Sequence, residues 1–204
     1  MTEQTANRRV VTNMSLSLDG RYARRDPRDM SWVMPYAHTD VARDHLTGLW
    51  EPATTALLGR VNAEGFLGFW PTLIGMPGVD PRDEGFAKWL VDADKVVLSG
   101  TLGESAPGRA PWERTTVVDR PTTEVVAGLR ATGGGDILVL SSASVIKALL
   151  AADEVDRLAL TVFPVFLGDG PRLFDDGLPA AEWALVSQTA GEHGTLALVY
   201  DRIR

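Results

Sequence analysis

Short apolar, β-branched runs alternate with helix-patterned segments along most of this chain, and that alternation admits few folds. Residues 9–18, 54–58, 95–99, 115–118, 137–140 and 157–166 read as strands. Between them, Thr39 offers an N-cap, and Val41, Ala42, His45, Leu46 and Leu49 recur at helical spacing until Pro52 stops the run. Further helices are expected over 61–66, 84–91, 122–130 and 143–151, whereas 68–83 is rich in glycine and proline and reads as a surface loop. The strand over 137–140 is strongly apolar and that over 157–166 reads as buried, as strands covered on both faces of a parallel sheet are. The final two segments, 184–189 and 195–203, instead alternate apolar and polar residues around Gly191 and Gly194, as a hairpin does. The expected fold is α/β, with a mostly parallel sheet, helices on both faces and a C-terminal antiparallel edge.

A chain of 204 residues, 45% of them hydrophobic, can bury one substantial core, so we expect a flexible tail over 1–8 and one domain over 9–204. Its net charge of −7 and lack of any basic cluster argue against nucleic acid or an anionic membrane as partner. With no cysteine, the chain has no disulfide, thiol nucleophile or Cys-ligated zinc. No membrane-length apolar run or signal peptide is evident, which predicts a cytoplasmic protein.

Ligands of parallel α/β sheets bind beyond the carboxyl ends of the strands, where loops open helices and expose backbone N–H groups. Three junctions suit an anion there: Leu58-Gly59-Arg60, Ser99-Gly100-Thr101, and Ser141-Ser142-Ala143-Ser144. Each alone could be a turn or a helix cap; together they predict a cofactor carrying phosphate. Neither a dinucleotide G-x-G-x-x-G after a strand nor a P-loop occurs. The chain also lacks G-x-S-x-G, and its three histidines do not form a nucleophile–base or metal pair by spacing. Asp19 ends the first strand, where it can cap backbone or face a site. Asp40 opens a helix and shares a face with Asp44. Asn13, Trp32 and Trp70 are candidates for substrate contact, the tryptophans because both fall in loops.

Several blocks then form a pattern. VTNMSLSLDGRYA (11–23), LLGRVNAEGF (57–66), KVVLSGTL (95–102) and DILVLSSASVIKALLAADEVDRLALTVFPVFLGDGPRLF (136–174) appear in an order that resembles the dihydrofolate reductase-like family, which includes the reductase domain of bacterial riboflavin synthesis. The resemblance implies a twisted sheet of about eight strands and NADPH as cofactor. It places Leu18 to Gly20 beside the nicotinamide, Gly59, Arg60, Ser99, Gly100 and Thr101 at phosphates and adenosine, and Ser141, Ser142, Ala143 and Ser144 at the pyrophosphate. It implies hydride transfer to a small heterocycle of pterin or pyrimidine type, such as 5-amino-6-(5-phosphoribosylamino)uracil, and a homodimer. Dihydrofolate reductases carry an acid on their first helix, and Asp40 is the nearest positional match. Two positions depart from the pattern: Ser141-Ser142 stands where relatives carry Gly-Gly or Gly-Ser, and Asn62 where they carry threonine. These departures motivate a rival expectation, a non-catalytic small-molecule-binding protein that kept the fold and lost the cofactor.

Overall fold

A computed structural model describes residues 8–102 and 112–204, so the expected tail lies outside the described residues up to position 7. Arg8, assigned to that tail from sequence, is in fact 5% exposed. Its guanidinium reaches across the sheet's end, which a sequence pattern of local contacts cannot reveal.

Eight strands form one sheet: β1 (Val10–Ser17), β2 (Ala53–Gly59), β3 (Asp94–Leu98), β4 (Thr115–Val118), β5 (Asp136–Leu140), β6 (Arg157–Phe163), β7 (Glu182–Ala190) and β8 (Leu196–Ile203). Their order is β4-β3-β2-β5-β1-β6-β8-β7. All pairs from β4 to β6 are parallel, and β8 runs antiparallel to both β6 and β7. The expected fold class is therefore the observed one. β6 stops at Phe163 instead of continuing to 166, because Pro164 has no N–H for the ladder.

The helices are α1 (Met34–Ala37), α2 (Asp40–Trp50), α3 (Arg60–Phe69), α4 (Pro81–Asp92), α5 (Thr122–Arg130) and α6 (Ala143–Ala151). Leu49, Ala63, Leu67, Phe86 and Leu90 pack α2, α3 and α4 onto one face of the sheet. Val125, Val126, Val145, Ile146 and Leu149 pack α5 and α6 onto the other. None of the described helices is long and apolar enough to cross a membrane.

The expected loop over 68–83 is largely structured. Helix α3 runs to Phe69 and tightens into a 3-10 turn over Trp70–Leu73, while α4 starts at Pro81, capped by Asp80, whose carboxylate accepts the Arg82 N–H at 2.9 Å. Trp70 meets Phe86 edge-on at 4.6 Å between ring centroids. That aromatic packing outweighs the local turn tendency of the glycines and prolines. It also makes Trp70 a packing residue between α3 and α4, not a substrate platform in a loop.

Topology fixes where a ligand can sit. Connections leaving β1 and β2 travel toward the β4 edge over one face, and those leaving β4 and β5 return over the other, as right-handed crossovers require. β2 and β5 are neighbours whose following helices, α3 and α6, depart to opposite faces. Their carboxyl ends therefore flank a crevice at the topological switch point.

Candidate functional site

Two of the three predicted junctions meet at this crevice. The Gly59 N–H donates to Ser142 Oγ at 2.9 Å, and Ser142 in turn donates to the Leu140 carbonyl at 2.9 Å. Asn62, at the threonine position of the resembled pattern, donates from Nδ2 to the Ser141 carbonyl at 3.0 Å. The β2 and β5 exits are thus tied by side chains that the departures themselves supply.

Neither helix opening at the crevice has a side-chain cap: Gly59 has no side chain to give, and the Ser142 hydroxyl is engaged across the crevice. The first-turn N–H groups of α3 and α6 are left to solvent or a ligand, with both helix dipoles favouring an anion. A Cβ at Gly59 would lie 3.7 Å from Ser144 Oγ and 3.8 Å from Ser142 Cβ and Val145 Cγ2. The gap between the helix openings is about one methyl group wide there, and Gly59 keeps it open. Arg60 is exposed and has no ion-pair or hydrogen-bond partner among the described residues. Ser141 has φ 46°, a left-handed conformation that costs a non-glycine residue roughly 1–2 kcal/mol. Glycine is favoured there for its backbone freedom, and the serine is accommodated at a conformational cost.

The third junction is organised differently. Ser99 Oγ accepts the N–H groups of Thr101 at 3.2 Å and Leu102 at 2.9 Å, so that hydroxyl closes a turn. A Cβ at Gly100 would lie 3.2 Å from both carboxylate oxygens of Asp119. Sequence reading missed Asp119, which follows β4 and carries no local motif. A carboxylate here disfavours a phosphate and suits a sugar hydroxyl, so the phosphate part of the expectation for Ser99–Thr101 does not fit.

Asp19 is a structural clasp. Its Oδ1 accepts from Ser17 Oγ at 2.6 Å and the Leu167 N–H at 3.0 Å, and its Oδ2 from Arg21 Nε at 2.8 Å and the Gly168 N–H at 3.1 Å. Desolvation alone would raise its pKa, but these bonds, led by Ser17, Leu167 and Arg21, hold it well below the usual carboxylate range. A carboxylate so held is no proton donor, which corrects its candidacy for catalysis. What it does is pin the β6 exit loop to the β1 exit. Leu18, half exposed, donates its N–H to Val165 at 2.9 Å, beside the exposed Phe166, and Gly20 makes the turn at φ 73°.

Asp40 also leaves the catalytic list. It is 69% exposed and pairs with Arg82, which also binds Asp44 and Asp80. Arg82 thereby neutralises the like-charged Asp40–Asp44 pair, and Asp40 faces Arg82 and solvent.

Asn13 stands level with Leu140 and Ala159 in the centre of the sheet, on the α2 side, and Ser15 follows it beside Thr161. Both Asn13 and Ser15 are only half buried, so this central strand offers polar side chains to solvent just behind the crevice. Trp32 is 4% exposed and packs edge-on to Phe163 at 5.8 Å, which makes it a core residue of the segment covering the β6 exit. Its Nε1 is buried without a hydrogen-bond partner.

The opposite end of the sheet holds a broad cavity of about 990 Å³ lined by Arg8, Thr54, Thr55, Asp94, Lys95 and Arg114, among others. Its buried cations are not available to a ligand. Arg8 donates to Gly135, Leu129, Thr132, Thr54 and Thr55, and Lys95 donates to the carbonyls of Leu90, Val91 and Ala93 at the end of α4.

This is an eight-stranded α/β domain with open helix ends at its switch point. The chain belongs to the RibD C-terminal domain family, whose sequence pattern matches residues 8–197. Among individual proteins it is 23% identical over 200 residues to YyaP, an uncharacterised protein of Bacillus subtilis (strain 168), covering 98% of each chain. A Shewanella sp. PV-4 structure, provisionally assigned to riboflavin biosynthesis, aligns with a TM-score of 0.71 at 21% identity, over 96% of this chain and 99% of that one. A pyrimidine reductase-like protein from Corynebacterium diphtheriae aligns with a TM-score of 0.66 at 17% identity, over 100% and 96% of the two chains. At these identities the structural matches establish the dihydrofolate reductase-like fold.

Proposed function

We propose that this chain is an NADPH-dependent reductase that delivers hydride to a small heterocycle of pyrimidine or pterin type. The observation that carries this reading is the pairing of two uncapped helix openings across a crevice that Gly59 keeps open. Such a cradle matches a pyrophosphate in charge and donor chemistry. Arg60 supplies an exposed cation at its rim, suited to bidentate contact with a phosphate.

Bound NADPH would supply the hydride. The protein's part is to hold and orient. The N–H groups opening α3 and α6 bind the pyrophosphate, and the Asp119 carboxylate accepts from a ribose hydroxyl. Leu18 and Phe166 offer an apolar ledge for the nicotinamide, set by the clasp of Asp19 on Leu167 and Gly168. Asn13 and Ser15 present hydrogen-bonding groups to the heterocycle. The family membership and the pyrimidine reductase-like relative support the substrate class.

One observation favours the rival, a binding protein without catalysis: the Ser142 hydroxyl takes the Gly59 N–H, a donor that a phosphate would otherwise use. Titrating the protein with NADPH, followed by tryptophan fluorescence, separates the two readings when a pyrimidine or pterin acceptor is then added. Saturable binding with oxidation of NADPH is expected. Saturable binding of the heterocycle alone, with no NADPH binding at millimolar concentration, would establish the rival.

A further inference from the structure

The crevice and the third junction are unequal sites for an anion. At the crevice, α3 and α6 open without side-chain caps, so their first-turn N–H groups are free. At the exit of β3, the N–H groups of Thr101 and Leu102 are already taken by Ser99 Oγ, at 3.2 and 2.9 Å. The chain is held against β4 there, since Leu98 pairs with Val118 and the Ser99 N–H donates to the Val118 carbonyl at 3.0 Å. Asp119 follows directly, and its carboxylate lies so close to Gly100 that a Cβ there would stand 3.2 Å from both oxygens. Asp119 is exposed and has no hydrogen-bond or ion-pair partner among the described residues.

Strand spacing decides what this carboxylate can meet. Neighbouring strands lie about 4.8 Å apart, so the order β4-β3-β2-β5 sets the exits of β3 and β4 two spacings, roughly 10 Å, from the crevice between β2 and β5. In a dinucleotide with its pyrophosphate in that crevice, the part that reaches this far on the side away from Leu18 is the adenosine, whose ribose carries the 2′ position. A 2′-hydroxyl is a donor, and an unpartnered carboxylate accepts it well. A 2′-phosphate instead brings a charge of about −1.5 to −2 against the carboxylate and finds two N–H groups of the turn spent. Two cations act the other way. Arg60, at the opening of α3, and Arg120, next to Asp119, are both exposed and unpaired among the described residues.

We propose that Asp119 decides which dinucleotide this site takes, and that through it the chain accepts NADH on a par with NADPH. The inference rests on the dinucleotide cradle proposed above and adds the class of cofactor it admits, with or without a 2′-phosphate. With NADH, Asp119 accepts from the 2′-hydroxyl. With NADPH, its repulsion of the 2′-phosphate offsets the attraction of Arg60 and Arg120, so the extra phosphate brings little net affinity.

The test is a pair of fluorescence titrations of the full chain, one with NADH and one with NADPH, followed by competition of each against the other. Affinities within about 10-fold of one another, at one shared site, are expected. Asp119→Asn keeps the size and an acceptor oxygen but removes the charge, and it raises NADPH affinity by about 10-fold while NADH affinity falls by no more than about 5-fold. Asp119→Ser, a second surface substitution, moves the ratio in the same direction, and thermal melts establish that both variants are folded. A wild-type preference for NADPH of 100-fold or more overturns the proposal, as does a ratio that neither folded variant changes. Binding of NADPH alone overturns only the assignment of Asp119, whereas failure of both dinucleotides to bind at millimolar concentration overturns the reductase reading and this inference together.

Discussion

The two ends of the sheet use the same kinds of groups to opposite purpose. At the amino end, Arg8 places all five N–H groups on protein acceptors, and the Lys95 ammonium is divided among three carbonyls that end α4. At the carboxyl end, the helices α3 and α6 open without side-chain caps and the Arg60 guanidinium is unpaired among the described residues. For Arg8 and Lys95, burial comes with complete satisfaction, as it must for a charged group. Openness at the second end leaves donors that water serves until a ligand replaces it. A cavity at the first end is therefore a poor guide to function, because its chemistry is already complete. The proposed function thus sets recognition where the donors are free and leaves the bonded cations to stability.

That contrast can be broken by substitutions that affect one end only. Arg8→Ala has the largest effect: it strands Thr54, Thr55 and the Gly135 carbonyl beneath the sheet and lowers stability by about 3 kcal/mol, read from the urea midpoint. The folded fraction keeps its NADPH affinity. A comparable effect comes from acid. Burial pushes His45, on α2, down to about 4, so the unfolded chain binds the extra proton first as pH falls below its ordinary value near 6.5. Stability is accordingly full above pH 6.5 and declines toward pH 4, by about 3 kcal/mol over that window, and His45→Leu flattens the slope.

Gly59→Ala sharpens the contrast from the other side. The new methyl meets only ordinary contacts at 3.7–3.8 Å, and the backbone there is extended, so stability changes by less than about 0.5 kcal/mol. NADPH affinity, measured by fluorescence titration, falls about 10-fold or more because the methyl occupies the cradle. The smallest effect is that of Ser141→Gly, which relieves the left-handed serine and raises stability by about 1 kcal/mol without loss of NADPH binding. A thermal melt with and without NADPH measures both.

Much of the architecture was legible because it is periodic. The buried strands, the helices α2, α5 and α6 and the final hairpin all follow from local patterning, and family-ordered motifs extend that to the whole sheet. The misses are tertiary in origin. Aromatic packing of Trp70 on Phe86 turned an apparent loop into helix and 3-10 turn, and the four-residue α1 is too short for a periodic signal. At the site, glycine and serine at strand exits pointed to two junctions that the fold brings together at one crevice, and Ser141 stands in a left-handed conformation that glycine adopts freely. Asp19 and Asp40 misled because a carboxylate's role depends on partners distant in sequence: Leu167 and Gly168 for one, Arg82 for the other. Asp119 was invisible for the same reason, its neighbour Gly100 lying across the β3–β4 connection.

The most direct test is a crystal structure of the complex with NADPH. The account predicts the pyrophosphate in the crevice between β2 and β5, its oxygens within hydrogen-bond distance, about 2.7–3.2 Å, of backbone nitrogens at the openings of α3 and α6. A pyrophosphate bound anywhere else, including the cavity beside Arg8 and Lys95 at the opposite end of the sheet, would contradict it.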